Sequence, residues 1–371
     1  MAAYGSIQGH QGMVFDEVRS KAYYEALQTI ITPESVVLDL GAGLGIFGLM
    51  AAKLGAKKVY LVEPAQVINV AKMFVADNNL EDRVECFQGR IEKVELPEKV
   101  DVIVSVFTGN FLLLEDLLPS LFFARDKYLK PGGHLIPSAG VMQAAPVSLP
   151  RLQKKHLDIW SEPYYDLDLT RGRKFVANSL FCRRDVFKNH SYLSAPVDLM
   201  SLDFTQDNDT YCRAEANFEI NKNASCQGLA GWFKMKLGEH WLSTGPHDPF
   251  VHWTPVALPI DPAFEVKKGE TLGLSLNRPP RGDWTWTISK DDQKVTRSTF
   301  ISRTLSAEGP LPPTEGQPKL SPRNSVIRAI LERFDGQTSI EEIVDSVLEA
   351  DPDCQLTRRQ VTHLALNFAR Q

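Results

Sequence analysis

The chain has 371 residues, 43% of them apolar and 23% charged, which is the composition of an ordinary globular protein with room for two or three domains. Its formal net charge of −5 argues against a general nucleic-acid binder, because such proteins usually carry a basic excess. No apolar run reaches the ~18–20 residues that a membrane helix needs, and the first residues lack the charged-then-apolar order of a signal peptide.

The zone from 36 to 140 alternates strands and helices. Strands are predicted at Val36–Leu40, Lys58–Val62, Val84–Gln88 and Val100–Val106. Helices are predicted at Ile46–Leu54, Val67–Asn78 and Leu112–Tyr128, the last ended by Lys130-Pro131-Gly132-Gly133. Strands that alternate with helices of ~10–15 residues are typical of parallel βαβ units. The pattern therefore predicts an α/β domain of Rossmann-like type.

The zone from 141 to 305 lacks long helical periodicity and is predicted to be mainly antiparallel β structure. Short β-rich segments such as Gly231–Leu237 and Thr271–Leu276 support this prediction. Within the zone, Arg151–Asp185 has mixed polarity with clustered aromatic residues, and we expect a helical excursion there.

The stretch 306–322 is rich in Pro, Gly and Ser and is predicted to be a linker to a small helical module at 323–371. Val326–Phe334 has helical spacing, Thr338-x-x-Glu341 is the capping box expected for a helix to about Ala350, and Thr357-x-x-Gln360 is expected to cap a last helix. The module either recruits a partner or substrate peptide or packs as a tail on the core or dimer.

The five cysteines are odd in number and scattered, and none has the spacing of a zinc ligand. We therefore expect reduced thiols in a cytoplasmic protein. Neither a metal, a membrane nor a nucleic acid is expected among its ligands and partners.

A glycine-rich turn follows the first predicted strand. Asp39 stands just before Gly41, Gly43 and Gly45, and Glu63 ends the next strand about 20 residues later. Glycines let a ligand approach the main chain, and the acid can accept hydrogen bonds from ribose hydroxyls. NAD would suit such a site, but the G-x-G-x-G spacing with an acid favours the cationic sulfonium of S-adenosylmethionine (SAM) over a pyrophosphate. A purely structural glycine turn is the remaining alternative.

At this point the sequence resembles the protein arginine methyltransferases over about residues 4–300. The segments that carry the resemblance are 10–19, 39–45, 89–97, 123–133, 231–233 and 251–253. It implies an N-terminal helical segment at 1–35 that covers SAM, a Rossmann-like domain at 36–140, and a β-barrel at 141–305 whose arm, about 151–185, makes a homodimer.

The resemblance also implies roles for single residues. Arg19 would pair with the SAM carboxylate, for which a planar guanidinium is well suited, although an exposed helix arginine is the alternative. Ile91 and Glu92 match a pair that lies near the adenine. Asp16 and His252 match an Asp–His pair in which the histidine serves as a base, unless His252 is an ordinary packed or surface histidine.

The acceptor loop departs from the family pattern. The family has two glutamates nine positions apart; Glu115 matches the second, but Val106 replaces the first. Because a guanidinium beside one carboxylate is costly to desolvate, we expect an acceptor other than ordinary protein arginine. The altered pocket is expected to be lined by Val106, Phe107, Thr108 and Asn110.

The sequence therefore predicts methyl transfer to a nitrogen or oxygen atom of a small molecule or peptide. Two alternatives stay open: arginine methylation with Glu115 alone, and a SAM-binding scaffold without activity. Retention of Asp16 and His252 weighs against the scaffold, because a scaffold needs no base.

Overall fold

The computed structural model describes residues 6–207, 209–303, 322–351, 354 and 356–369. The chain divides into two compact units, residues 1–303 and 304–371. The predicted linker 306–322 lies outside the described residues except for Pro322, the first residue of a helix. Within the described ranges, no helix has both the length and the apolar character needed to cross a membrane.

A parallel sheet forms the first half of the larger unit, as the sequence predicted, but it has five strands where four were predicted. Its order is β3-β2-β1-β4-β5, with strands β1 (Val36–Leu40), β2 (Lys58–Glu63), β3 (Val84–Gln88), β4 (Val100–Ser105) and β5 (Leu129–Ile136). Strand β1 pairs on one side with β2 and on the other with β4, so the chain reverses its winding direction between β1 and β4. Ligands of open parallel sheets bind at such a switch point, beyond the carboxyl ends of the strands.

Helices flank this sheet and precede it: α1 (Ile7–Val14), α2 (Glu17–Ile30), α3 (Ile46–Lys53), α4 (Ile68–Asp77) and α5 (Leu118–Tyr128). Helix α2 brings Tyr23, Ala26 and Leu27 into the main core, where Tyr23 stacks on Phe47 of α3 with ring centroids 4.4 Å apart. Helix α2 is thereby joined to the domain that carries the glycine turn.

The prediction of a helix from Leu112 was wrong at its beginning, since α5 starts at Leu118. Pro119 stands in the first turn of α5, where its missing N–H costs nothing, and the residues before it form an irregular loop. The glycines at 132 and 133, expected only to end this helix, lie within strand β5.

The second half of the larger unit is antiparallel β structure, as predicted. One sheet contains β6 (Ala139–Ser148), β7 (Ser191–Tyr192), β8 (Val197–Asp203), β10 (Ala224–Leu237), β11 (His240–Ser243) and β12 (Val256–Val266). The other contains β9 (Cys212–Glu219), β13 (Thr271–Arg278), β14 (Thr285–Lys290) and β15 (Gln293–Ser298), followed by the short helix α8 (Thr299–Ser302).

The excursion between β6 and β7 consists of short helical pieces: α6 (Pro150–Leu152), irregular helical turns through Ser161, α7 (Arg171–Val176), and a 3₁₀ turn at Arg184–Phe187. Arg173 of α7 joins it to the barrel through two hydrogen bonds to Asp261 of β12, of 2.7 and 3.0 Å. A third bond, to Asp158 at 3.0 Å, connects Arg173 to an earlier turn of the same excursion. The predicted arm, about 151–185, makes up most of this excursion.

The described residues of the smaller unit form three helices: α9 (Pro322–Leu331), α10 (Ile340–Ala350) and α11 (Arg358–Ala369). They share a buried apolar core that includes Ile330, Val347 and Val361. The capping box of α10 is formed by Ser339 and Glu342, one position after the predicted Thr338 and Glu341. The predicted Thr357–Gln360 cap is present at the start of α11.

Candidate active site

The glycine turn lies at the switch point and has the backbone that only glycine adopts readily. Gly41, Gly43 and Gly45 have φ values of +69°, +54° and +77°. A Cβ atom added at Gly41 would lie 2.1 Å from the ring of Phe107, and one at Gly43 would lie 2.9 Å from Nε2 of His10. The turn is therefore covered by the acceptor loop on one side and by α1 on the other.

The two predicted acids of the cofactor site are buried and bonded to main-chain amides. Asp39 accepts a hydrogen bond from Gly48 N–H at 2.7 Å, and Glu63 accepts from Gly43 N–H at 3.0 Å and Ala65 N–H at 2.8 Å. Burial raises the pKa of Asp39 to about 7; the bond from Gly48 opposes this rise, and the charge of Glu63 adds to it. Both acids thus hold the shape of the turn in addition to supplying negative charge.

Arg19 is buried rather than an exposed helix arginine, with 4% of its surface accessible. Its guanidinium lies between the rings of Phe47 and Trp253, at 5.5 and 5.4 Å from their centroids, and one Nη donates to the Met13 carbonyl. Its Nε is buried and has no hydrogen-bond partner among the described residues. A buried cation with an unused donor is the arrangement that a carboxylate ligand completes.

Asp16 and His252 are in contact, but the Asp16 carboxylate bonds to the backbone N–H of His252 and not to its imidazole. Asp16 is the N-cap of α2: one carboxylate oxygen accepts from Arg19 N–H at 2.9 Å, and the other accepts from the backbone N–H of His252 at 2.5 Å. The expected contact between carboxylate and imidazole is not among the hydrogen bonds of these two residues. Asp16 therefore ties the position of His252 to that of Arg19.

The His252 side chain is exposed, and its surroundings favour the neutral imidazole. Desolvation by the surrounding chain and the positive charge of Arg19 lower the pKa of His252 below its ordinary value, and Asp16 opposes them. A neutral imidazole near pH 7 is the form that accepts a proton.

The acceptor loop, residues 106–117, joins β4 to α5 and packs against the barrel. Thr108 is buried, and its carbonyl accepts from Nε1 of Trp253 at 2.7 Å. Asn110 accepts from Thr254 N–H through its Oδ1 at 2.9 Å. The Thr108 carbonyl and the Asn110 side-chain oxygen, both from predicted pocket residues, thus hold the loop against the barrel. Val106 and Phe107 are partly exposed beside the glycine turn.

Glu115 is exposed in the same loop, beside Gly109, where an added Cβ would meet the Glu115 side chain at 2.8 Å. Phe111, Leu112 and Asp116 of this loop have φ values of +49°, +61° and +54°, a strained region for residues with a Cβ. Asp116 forms an ion pair with buried Arg278 at 2.5 Å and accepts from Arg281 N–H at 3.0 Å. The barrel therefore holds the strained loop that carries Glu115.

Ile91 and Glu92 lie in a 3₁₀ turn after β3. Ile91 is buried, and Glu92 is exposed and accepts a 2.5 Å hydrogen bond from Ser120 of α5. The structure brings the turn to the same edge of the sheet as Glu63.

Sequence reasoning missed three residues of this region. Trp253 was noted only as part of a motif, yet its ring contacts Arg19 and its N–H bonds the acceptor loop. Burial raises the pKa of the Cys182 thiol to about 11; its hydrogen bond with Asn110 opposes this rise, and the charge of Glu115 adds to it. Arg184 contacts the segment that carries His252. No motif marks Cys182 or Arg184, because their neighbours are distant in sequence.

Solved structures share this architecture. The PRMT1 enzyme–prozyme heterotetrameric complex of Trypanosoma brucei with AdoHcy superposes with a TM-score of 0.71 at 23% identity, over 80% of this chain and 99% of that one. Protein arginine methyltransferase 10 of Arabidopsis thaliana gives 0.69 at 24% identity with the same coverage. The fold is that of a class I methyltransferase domain followed by a β-barrel.

Comparisons of sequence are more specific. Family models for the arginine methyltransferase oligomerization subdomain and for the ribosomal protein L11 methyltransferase (PrmA) match residues 138–289 and 21–159. Protein arginine N-methyltransferase 6 of Xenopus tropicalis is 34% identical over 279 residues, 71% of this chain and 82% of the relative. The histone-arginine methyltransferase CARMER of Drosophila ananassae is 30% identical over 89% of this chain and 65% of the relative.

The chain therefore belongs to the protein arginine methyltransferase family. The enzyme class and the cofactor that the sequence predicted, a SAM-dependent methyltransferase, are confirmed.

Proposed function

We propose that this protein transfers a methyl group from SAM to a nitrogen acceptor on a peptide or small molecule that a single carboxylate, Glu115, holds. The observation that carries the proposal is the acceptor loop, which has Val106 where the family pattern has its first glutamate and which packs beside Arg19 and His252 through Trp253.

The residues of the cofactor side fit SAM. Arg19 offers a buried, unused Nε–H to the SAM carboxylate, and the glycine turn leaves room for a ligand against the main chain. Each carboxylate oxygen of Glu63 accepts one amide N–H and keeps a lone pair for a ribose hydroxyl. When bound, the cofactor supplies the activated methyl group.

On the acceptor side, the protein needs to orient a lone pair and remove a proton. Glu115 is the group that would orient a cationic or N–H-bearing acceptor, and Val106 and Phe107 would contact its apolar part. His252, whose lowered pKa keeps it neutral near pH 7, would take the proton. Asp16 contributes by fixing the main chain of His252.

A second candidate is methylation of protein arginine with Glu115 alone. The 34% identity to protein arginine N-methyltransferase 6 favours it. A guanidinium offers five N–H donors in a plane, and one carboxylate satisfies at most two of them, so affinity for arginine would be low unless the substrate supplies further acceptors.

Calorimetry with SAM and its demethylated product, followed by transfer of labelled methyl from SAM, tests the proposal. Parallel reactions would contain arginine peptides, lysine and histidine peptides, and fractionated small molecules. Label in a non-arginine fraction supports our proposal, and label only in arginine peptides supports the second candidate. SAM binding without labelled product in any fraction would favour the inactive scaffold, and absence of SAM binding would refute all three.

We also propose that the arm forms a homodimer. It exposes apolar side chains that a partner would cover: Ile159, Tyr164, Tyr165, Leu167 and Phe175. The match to the oligomerization subdomain includes this segment. Tyr165→Asp should give a monomer in analytical ultracentrifugation, whereas Trp241→Asp, at an exposed aromatic of the barrel, should leave the dimer intact. A dimer that survives Tyr165→Asp would place the interface elsewhere.

We also propose that the protein is located in the cytoplasm. All five cysteines are free thiols, which suits a reducing compartment. Fractionation of cells that express a tagged full chain tests it, and recovery of the protein outside the cytoplasm would contradict it.

A further inference from the structure

The backbone that carries His252 is irregular and depends on side chains for its hydrogen bonds. It runs between β11 and β12 without strand pairing at Val251–Trp253. Buried or partly buried main-chain polar groups need partners, and an irregular segment finds them in side chains or water. Here the partners come from two places that are far apart in sequence.

Arg184 supplies the partner on the carbonyl side. Its Nη2 donates to the carbonyls of Val251 and Trp253, both at 3.2 Å, so it bridges the residues on either side of His252. The guanidinium carbon also lies 4.3 Å from the ring centroid of Phe250, which limits its movement.

Asp16 supplies the partner on the amide side, since its carboxylate accepts the His252 N–H. The same carboxylate caps α2 at Arg19. The segment around His252 is thus held by the Arg184 cation at the flanking carbonyls and by the Asp16 anion at the His252 amide. Asp16 adjoins Arg19 of the candidate cofactor site, whereas Arg184 lies outside that site.

We propose that Arg184 is a positioning residue for methyl transfer, which holds the main chain on both sides of His252 and so keeps the imidazole in reach of the acceptor. This inference rests on the proposed function, because the role of His252 as the base does. Arg184 lies at the end of the arm and makes no hydrogen bond to the glycine turn, so we expect its main effect on the acceptor side.

The neighbouring arginine is a matched control. Arg183 is exposed and pairs with Asp185 of its own segment, with no hydrogen bond to residues 250–253. Replacing either arginine removes the same charge at nearly the same place in the chain. A difference between Arg183→Ala and Arg184→Ala would therefore report the contact with the His252 segment.

The experiment combines kinetics with the titration of His252 in the full chain. The imidazole resonances of histidine-labelled protein would be followed against pH, with the His252 signal assigned from His252→Gln. For Arg184→Ala we expect kcat to fall about 10- to 100-fold, which is the usual effect of a small misplacement of a reacting group. KM for SAM and its Kd should stay within about twofold. The pKa of His252 should rise toward its ordinary value as the freed segment becomes solvated.

Arg184→Lys should recover part of kcat, because an ammonium donates to one or both carbonyls without the planar fork, and Arg183→Ala should match the unaltered protein. The inference is overturned if Arg184→Ala leaves both kcat and the His252 titration unchanged, or if Arg183→Ala alters both to the same extent. The titration needs no substrate: an inactive protein whose His252 pKa moves only in Arg184→Ala would refute the proposed function and keep Arg184 as the residue that positions His252.

Discussion

The cofactor side and the acceptor loop of this enzyme are built differently. On the cofactor side, the positions that need a left-handed backbone are glycines, and the buried acids bond directly to the turn. In the acceptor loop, three residues with a Cβ adopt positive φ, and bonds from the barrel to Asp116 and Asn110 hold the loop.

The two regions differ in what stabilises their backbone conformation. Local rules alone account for the cofactor side, and the resemblance to arginine methyltransferases is strong there. The acceptor loop violates local rules and is stabilised from outside, which is typical of a segment whose geometry serves function. This contrast supports the proposed function, in which the acceptor loop, and not the cofactor side, departs from the family pattern.

Glu115→Gln gives the largest expected effect and tests whether the acceptor loop acts separately from the cofactor side. The substitution keeps the shape and removes the charge, so kcat/KM for the acceptor should fall about 100-fold, the loss of a charge-assisted contact of ~1.5–3 kcal/mol. The Kd for SAM, measured by calorimetry, should not change. Glu239→Gln in the β10–β11 turn is the control. A parallel loss of SAM binding would contradict the separation of the two sides.

Val106→Glu would bring the loop closer to the family pattern. A second carboxylate adds an acceptor for a guanidinium, so activity on an arginine peptide should rise about 20-fold. The gain is expected to be smaller than the loss in Glu115→Gln, because position 106 is partly buried and a carboxylate there is costly to desolvate. Val106→Gln, of the same size but uncharged, should give little gain. Steady-state methylation of one arginine peptide by the three proteins is the measurement. Equal activity in all three would show that the loop does not select the acceptor by charge.

Arg19→Lys tests the cofactor side. Lysine keeps the charge but loses the planar fork and the contact with two aromatic rings, so the affinity for SAM should fall about tenfold. Arg83→Lys, at an exposed arginine that pairs with Asp82, should bind as the unaltered protein does. Calorimetry with SAM is the measurement, and an unchanged Kd in Arg19→Lys would remove Arg19 from the cofactor site.

The same difference explains what the sequence could predict. The first four strands of the parallel sheet, helices α3 and α4, and the positions of Gly41–Gly45 and Glu63 follow from periodicity and spacing, which are local. The helix expected from Leu112 did not form there, because tertiary contacts of Phe111 and Asp116 stabilise a loop that hydrophobic spacing cannot distinguish from a helix. Arg184 contacts residues almost 70 positions away, and no local pattern encodes such a contact.

The smallest expected effect concerns Asp39 and the charge of the methyl donor. Because the pKa of Asp39 is raised to about 7, its carboxyl is mostly neutral at pH 6 and mostly charged at pH 8. A charged carboxylate attracts the sulfonium of SAM, so SAM affinity should rise about fivefold from pH 6 to pH 8, an interaction of ~1 kcal/mol in a partly buried site.

S-adenosylhomocysteine is the matched ligand, since it differs by the methyl group and the sulfonium charge. Its affinity should rise less over the same range, and in Asp39→Asn the two ligands should show the same dependence on pH. Calorimetry at pH 6, 7 and 8 measures both. Parallel curves for the two ligands in the unaltered protein would mean that Asp39 does not interact with the sulfonium. Asp39 would then act only through its bond to Gly48, in the geometry of the turn.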